Sequence, residues 1–156
     1  MDLAAPFVQM WLTLGLGVDT AGYAPAQVSV GWDVLGTIAP VRAGLFGSLG
    51  IDEDDEGQDR MRIGFGFQGR WYLDRWLYAG MALELGSQER DEDGLLFVAL
   101  DAVAGVPLTE GGRLALEVAA GVQGETELQI NLFGEDESEP ESRPTAHVAA
   151  RVVVRL

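Results

Sequence analysis

The sequence contains no cysteine, no lysine and a single histidine. Without cysteine, neither a disulfide framework nor a thiolate metal site can form. No apolar stretch reaches the roughly 18 residues that a membrane-spanning helix needs. The ten basic residues are outnumbered by 25 acidic ones, and the net charge of −15 argues against nucleic acid as a partner, because its binding needs basic surface. The length and the lack of a linker-like break predict one domain, residues 1–156.

A two-residue alternation runs through eight segments of the chain. The last of them places Ala146, Val148, Ala150, Val152, Val154 and Leu156 on one face. Because successive side chains of a strand point to opposite sides, this period predicts strands with one apolar and one mixed face. The predicted strands are residues 7–18, 26–35, 41–51, 60–73, 76–88, 95–107, 113–132 and 145–156. Most reach the roughly 9–11 residues with which a tilted strand crosses a bilayer.

The glycines indicate which face points outward. Most strand glycines belong to the mixed face, which also carries large residues such as Trp11, Phe46 and Tyr78. Glycine on a solvated face only weakens a strand, whereas the inside of a narrow barrel needs small residues beside large ones. The sequence therefore predicts an all-β, eight-stranded antiparallel up-and-down transmembrane β-barrel, apolar outside and polar inside.

The connections between the predicted strands are alternately short and long. Short turns are predicted at residues 37–40, 74–75 and 109–112, and longer segments at 19–25, 52–59, 89–94 and 133–144. Three of the longer segments hold 15 acidic residues and two arginines. Short turns on one side and long loops on the other are typical of outer-membrane barrels, with the termini on the short-turn, periplasmic side. We therefore expect periplasmic termini and acidic extracellular loops.

This layout resembles the small eight-stranded outer-membrane β-barrels, such as the membrane domain of outer-membrane protein A and its relative, outer-membrane protein X. The resemblance covers the whole chain as architecture. The alternation of Val152, Val154 and Leu156 fits the family's C-terminal targeting signal, although the usual terminal aromatic residue is missing. The resemblance to this family implies a monomer in the bacterial outer membrane, with the lipid bilayer as its main partner and no cofactor. A designed barrel without a biological role would show the same pattern.

The mixed face carries the most informative chemistry. Its charged residues predict an interior ion-pair network of Asp33, Arg42, Arg62, Arg70, Glu84, Asp101, Glu117, Glu125, His147, Arg151 and Arg155. Arg113, Glu127, Gln68 and Gln123 are expected on the same face. Buried charges persist only when they are paired, so the main interpretation is an interior that fills and closes the lumen. The alternative is a narrow ion or small-solute channel gated by the same arginines and carboxylates.

Enzymatic readings are weaker. His147 could serve a hydrolase in a barrel wall, but it is expected to point inward and no serine lies beside it, so no catalytic residue is predicted. The run 64–69 matches GxGxxG literally, yet it keeps the strand alternation instead of opening a helix as a nucleotide site requires. We expect a non-enzymatic protein.

Two features suggest contacts outside the barrel. The acidic run 52–57 begins like a calcium loop, but Ile63 stands where the closing glutamate belongs. We therefore expect a solvated acidic loop that repels anions. The alternative is weak divalent-cation binding or bridging to lipopolysaccharide. The second feature is the far end of predicted strand 7, because apolar residues above a bilayer need a cover. We expect a neighbouring loop to cover them, and the alternative is a surface for a protein partner at Leu128, Ile130, Leu132 and Phe133.

Overall fold

Eight antiparallel strands close into one barrel. The computed structural model describes residues 7–20, 25–35, 41–53, 59–90, 93–110, 112–127 and 144–156. The strands are β1 (Phe7–Asp19), β2 (Ala26–Leu35), β3 (Val41–Glu53), β4 (Asp59–Tyr72), β5 (Tyr78–Arg90), β6 (Asp93–Pro107), β7 (Leu114–Glu127) and β8 (Thr145–Arg155). Each strand pairs with its neighbour in sequence, and β8 closes on β1. The predicted up-and-down fold is confirmed. Within the described ranges, no helix is long and apolar enough to cross a membrane.

Most strand ends lie within two residues of the prediction, and the turn after β4 shows the clearest difference. The turn after β4 spans residues 73–77 instead of two residues. It widens because the Asp74 carboxylate accepts hydrogen bonds from the backbone N–H groups of Trp76 and Leu77, at 2.5 and 2.9 Å, which folds the chain around that side chain. The predicted end of strand 7 cannot be compared, since residues 128–133 lie outside the described residues.

The predicted assignment of faces is confirmed on the described strands. The outward residues are apolar and exposed, including Leu16, Phe65 and Val98. The inward face is buried and mixes aromatic, small and charged side chains. An outer surface that is so apolar is stable in lipid rather than in water. The distribution of apolar and polar residues between the two faces is therefore that of a transmembrane barrel.

Interior glycines make room for the largest side chains. A Cβ at Gly31 would overlap the Trp11 ring, and one at Gly105 would overlap the Tyr78 ring. Trp11 and Tyr78 are 2% and 0% exposed. The register explains this packing, since Gly31 is paired with Trp11 and Gly105 with Tyr78 on adjacent strands. The GxGxxG run lies inside β4, as the alternation predicts.

The barrel has two different ends. We call the end that contains Phe7, Arg155 and the β2–β3, β4–β5 and β6–β7 connections the turn end. The opposite end, with the β1–β2, β3–β4, β5–β6 and β7–β8 connections, is the loop end. Both ends of the described chain therefore lie at the turn end.

Candidate functional site

The charged interior is the candidate functional site, and Glu117 lies at its centre. The Glu117 carboxylate accepts a hydrogen bond from Arg70 Nε at 2.9 Å and another from the Tyr78 hydroxyl at 3.0 Å. Its other oxygen lies 3.6 Å from Arg151 Nη1. The side chains of Arg70 and Glu117 are only 2% and 1% exposed. Three strands besides β7 thus converge on one buried carboxylate.

The same chain of contacts continues toward the loop end. Arg151 also donates to Asp101 at 3.0 Å, and the other oxygen of Asp101 lies 2.6 Å from His147 Nε2. Space for Asp101 comes from Gly121, where a Cβ would overlap the carboxylate. Gly121 is paired with both Asp101 and His147. We call the connected set Arg70, Tyr78, Asp101, Glu117, His147 and Arg151 the central network.

A second group, the loop-end cluster, contains Ser48, Arg62, Glu84, Gln123 and Glu125. Arg62 lies 3.2 Å from Glu84 and also donates a hydrogen bond to Gln123. Glu84 accepts a further hydrogen bond from Ser48, and Gln123 donates to Glu125 at 2.9 Å. Each charge in this cluster therefore has a polar partner from another residue.

A small cavity opens between the loop-end cluster and the central network. Its volume is about 40 Å³, and Arg62, Glu84, Asp101 and His147 are among its lining residues. That volume holds only a few water molecules. On the turn-end side of this cavity, the interior is filled by side chains, among them Trp11, Arg70 and Tyr78, which are each 2% exposed or less.

The third group, the turn-end cluster, consists of Arg42, Tyr72 and Arg155. The guanidinium carbons of Arg42 and Arg155 lie 4.7 and 5.3 Å from the centre of the Tyr72 ring. Arg155 donates to the Tyr72 hydroxyl and, at 2.8 Å, to the carbonyl of Gly112. Arg42 donates to the side-chain oxygen of Gln9 at 3.1 Å. Both arginines are thus held by neutral groups.

Asp33 differs from the other interior acids. The sequence places it opposite arginines, whereas in the structure one of its oxygens accepts hydrogen bonds from Trp11 Nε1 at 3.1 Å and Gln68 Nε2 at 3.2 Å. Its other oxygen is buried and has no hydrogen-bond partner among the residues that the structure describes. Trp11 and Tyr78 were not predicted as hydrogen-bond donors to the interior carboxylates. The alternation gives the face on which a side chain lies but not the rotamer that directs its polar atom.

One predicted interior residue is wrong. Arg113 is exposed, although its position fits the inward parity of β7. It precedes the strand and follows Gly112, whose φ of 67° turns the chain, so the parity of the strand does not extend to it. The remaining arginines and acids of the predicted network lie inside wherever the structure describes their side chains. The side chain of Glu127 and the predicted partner surface at 128–133 lie outside the described residues.

Outside the barrel, tryptophans gather at the turn end. Trp32, Trp71 and Trp76 point outward, with 49%, 57% and 57% of each side chain exposed, and Arg75 lies 4.9 Å over the Trp76 ring. Tryptophan is enriched where a bilayer meets water. From Trp71 to Met61 on β4, the apolar face is about 25 Å tall when tilted strands rise about 3.3 Å per residue.

The chain resembles solved transmembrane barrels in structure. The outer membrane enzyme PagL is 9% identical, covers 94% of this chain and 99% of its own, and superposes with a TM-score of 0.61. A major outer membrane protein from Thermus thermophilus is 13% identical, with coverages of 96% and 99% and a TM-score of 0.50. A de novo designed transmembrane β-barrel is 14% identical, covers 95% of each chain and gives 0.50. No family model and no curated protein matches the sequence. The likeness shows the fold.

Proposed function

We propose that this protein is a non-enzymatic integral outer-membrane barrel with a closed interior, which acts through its acidic rim in surface contacts or envelope integrity. The observation that carries the proposal is the central network, in which Arg70 on β4 reaches across the lumen to Glu117 on β7, and Arg151 on the neighbouring β8 lies beside the same carboxylate. Large buried side chains fill the space around it. An eight-stranded barrel is narrow enough for side chains to close it.

The outer surface supports a membrane location. An exposed apolar face about 25 Å tall with tryptophans at one rim suits a bilayer. Two of the similar structures, PagL and the Thermus protein, are described as outer-membrane proteins. We assign the turn end to the periplasm and the acidic loop end to the cell exterior, because that is how long and short connections are distributed in such barrels.

The acidic segments at the loop end suggest how the rim acts. Their carboxylates would repel anionic partners directly, but divalent cations could bridge them to lipopolysaccharide. The apolar residues at 128–133 would suit a surface protein. A pull-down with purified lipopolysaccharide, with and without Mg²⁺, tests whether divalent cations bridge the acidic loops to lipopolysaccharide. Binding that depends neither on Mg²⁺ nor on the acidic residues would contradict this bridging.

A hydrolase role must also be tested, because PagL is an outer membrane enzyme with a similar barrel. Here His147 is held by Asp101 at 2.6 Å, and the Ser48 hydroxyl donates to Glu84. A serine nucleophile needs a base within hydrogen-bond reach, and no described serine donates to His147. We expect no labelling by a serine-reactive fluorophosphonate probe, whereas labelling that disappears in Ser48→Ala would identify an active serine.

A gated channel is the second candidate, favoured by the cavity of about 40 Å³ that leads from the loop end to Asp101 and His147. Conductance of the refolded barrel in a planar bilayer separates the two. We expect a silent membrane at neutral pH, with heat-modifiable migration on a gel as proof of folding. Discrete openings in the wild type would replace the closed-barrel proposal with the channel.

A double variant sharpens this result. Arg70→Ala with Glu117→Ala removes both charges together, so neither partner is left buried alone. If the network is a gate, its removal should increase conductance. If Trp11 and Phe97 also close the lumen, the double variant should remain silent. Glu110→Ala, at an exposed turn residue, is the matched control and should behave as the wild type.

A further inference from the structure

In the part of the chain that the structure describes, the two arginines of the turn-end cluster contact no carboxylate. Arg62, Arg70 and Arg151 each lie within 3.6 Å of a carboxylate oxygen. In contrast, the hydrogen-bond acceptors of Arg42 and Arg155 are an amide oxygen, a hydroxyl and a backbone carbonyl. Within the described residues, the turn-end cluster therefore carries two positive charges and no compensating negative charge.

Burial makes that imbalance costly. Arg155 is 3% exposed, so water screens its charge poorly, and an unpaired charge inside a protein is strongly unfavourable. The two guanidinium groups share one tyrosine ring, which attracts each cation but cannot neutralise their mutual repulsion. A negatively charged group between or beside them would remove this penalty.

The N–H donors of Arg155 independently indicate a place for an anionic group in the turn-end cluster. Its two terminal nitrogens donate to Gly112 and Tyr72, but its buried Nε has no hydrogen-bond partner among the described residues. A guanidinium has five N–H donors in a planar fork, and this fork matches the oxygens of a carboxylate or phosphate. Arg42 is only half-buried, so one side of the cluster is accessible from the turn end.

We propose that the turn-end cluster is a binding site for an oxyanion, a phosphate group above all, held by Arg42 and Arg155 beside Tyr72. At the turn end, where the barrel meets both lipid and water, the phosphate group has two possible sources. Trp71 and Trp76 on the outside mark the bilayer interface at the turn end, so a lipid headgroup lies close to the mouth. Free phosphate or a soluble phosphate ester would enter from the aqueous side.

Thermal unfolding with inorganic phosphate tests the site. The full chain is refolded in a maltoside detergent, which has no phosphate, and inorganic phosphate is titrated at constant ionic strength against chloride. A ligand that binds only the folded state raises Tm as its concentration rises. We expect this rise in the wild type, and an affinity at least about tenfold weaker in Arg42→Gln, because one charged donor group is lost.

Arg75→Gln is the matched control, since Arg75 also lies at the turn end but is exposed outside the barrel. It should keep the full phosphate response. No response in the wild type, or an equal response in Arg42→Gln, would overturn the proposal.

The source of the phosphate is then determined by comparing the response of Tm to inorganic phosphate in two kinds of lipid vesicle. In vesicles of a galactolipid without phosphate, inorganic phosphate should stabilise the barrel whichever source applies. In phosphatidylcholine vesicles the response should be lost if a headgroup already occupies the site, and retained if the ligand is soluble. Both results depend on Arg42, so repeating them with Arg42→Gln distinguishes the site from a general salt effect. The closed-barrel function does not depend on either outcome.

Discussion

Arginine is stabilised in two different ways inside this barrel. In the central network, Arg70 and Arg151 contact carboxylates on other strands, so each of these ion pairs connects two strands that are not neighbours in the barrel. In the turn-end cluster, Arg42 and Arg155 lie over an aromatic ring and donate to neutral oxygens. The same side chain therefore acts as half of an internal cross-link in one region and as an uncompensated cation in the other. The loss of one member should therefore destabilise the barrel much more in the central network than in the turn-end cluster.

The largest effect is expected from breaking the central network at its acid. Glu117→Ala leaves Arg70 buried without its ion-pair partner and removes the acceptor of the Tyr78 hydroxyl. Removing one partner of a buried ion pair costs about 3–5 kcal/mol. We expect a loss of this size in the free energy of unfolding, measured by denaturant titration of the barrel in lipid vesicles.

The control for this loss is Glu110→Ala, in the exposed β6–β7 turn. It removes the same chemical group where water solvates it, and the unfolding free energy should change by no more than about 0.5 kcal/mol. A Tm of Glu117→Ala within a few degrees of the wild type would mean that the network does not hold the interior together.

An intermediate effect is expected at Tyr78, which contacts both regions. Its hydroxyl donates to Glu117, and its ring lies 5.9 Å from the guanidinium of Arg155. Gly105→Ala would place a methyl group in the space that this ring occupies and force it to move. Overpacking of this kind costs about 1–3 kcal/mol, which denaturant titration measures.

Gly69→Ala is the matched substitution on the outward face of β4, where an added Cβ meets nothing within 4 Å. Its unfolding free energy should remain close to that of the wild type. If both alanines have the same cost, strand propensity and not contact with Tyr78 explains the effect.

The fold was predictable because its signal is local. A period of two, repeated over eight segments, gives the strands and the two faces, and the length of each connection gives their order. The prediction failed where the chain leaves the strand. Arg113 has the parity of β7 but lies before the strand, directly after the turn at Gly112, and the turn after β4 is wider because it folds around Asp74. Neither event alters the alternation, so the alternation could not reveal it.

The interior partners were less predictable than the interior residues. Alternation places Arg70, Glu117 and Arg155 on one face, but which carboxylate meets which arginine depends on register and barrel shear, which connect residues far apart in sequence. Arg70 and Glu117 are separated by 47 positions. The absence of a carboxylate at Arg42 and Arg155, among the residues described, follows from the same geometry. No local pattern distinguishes these arginines from Arg70.

The smallest effect should come from the turn-end cluster, and it decides whether the two regions really differ. Arg42→Gln removes a donor to Gln9 and a contact with the Tyr72 ring, worth about 1 kcal/mol each at most. It also removes one of two neighbouring like charges, which offsets part of that loss. In phosphate-free buffer, the free energy of unfolding should therefore fall by less than about 1 kcal/mol, because no carboxylate is left unpaired. A loss as large as that of Glu117→Ala would mean that Arg42 is half of a structural ion pair, so that arginine is stabilised in the same way at both places.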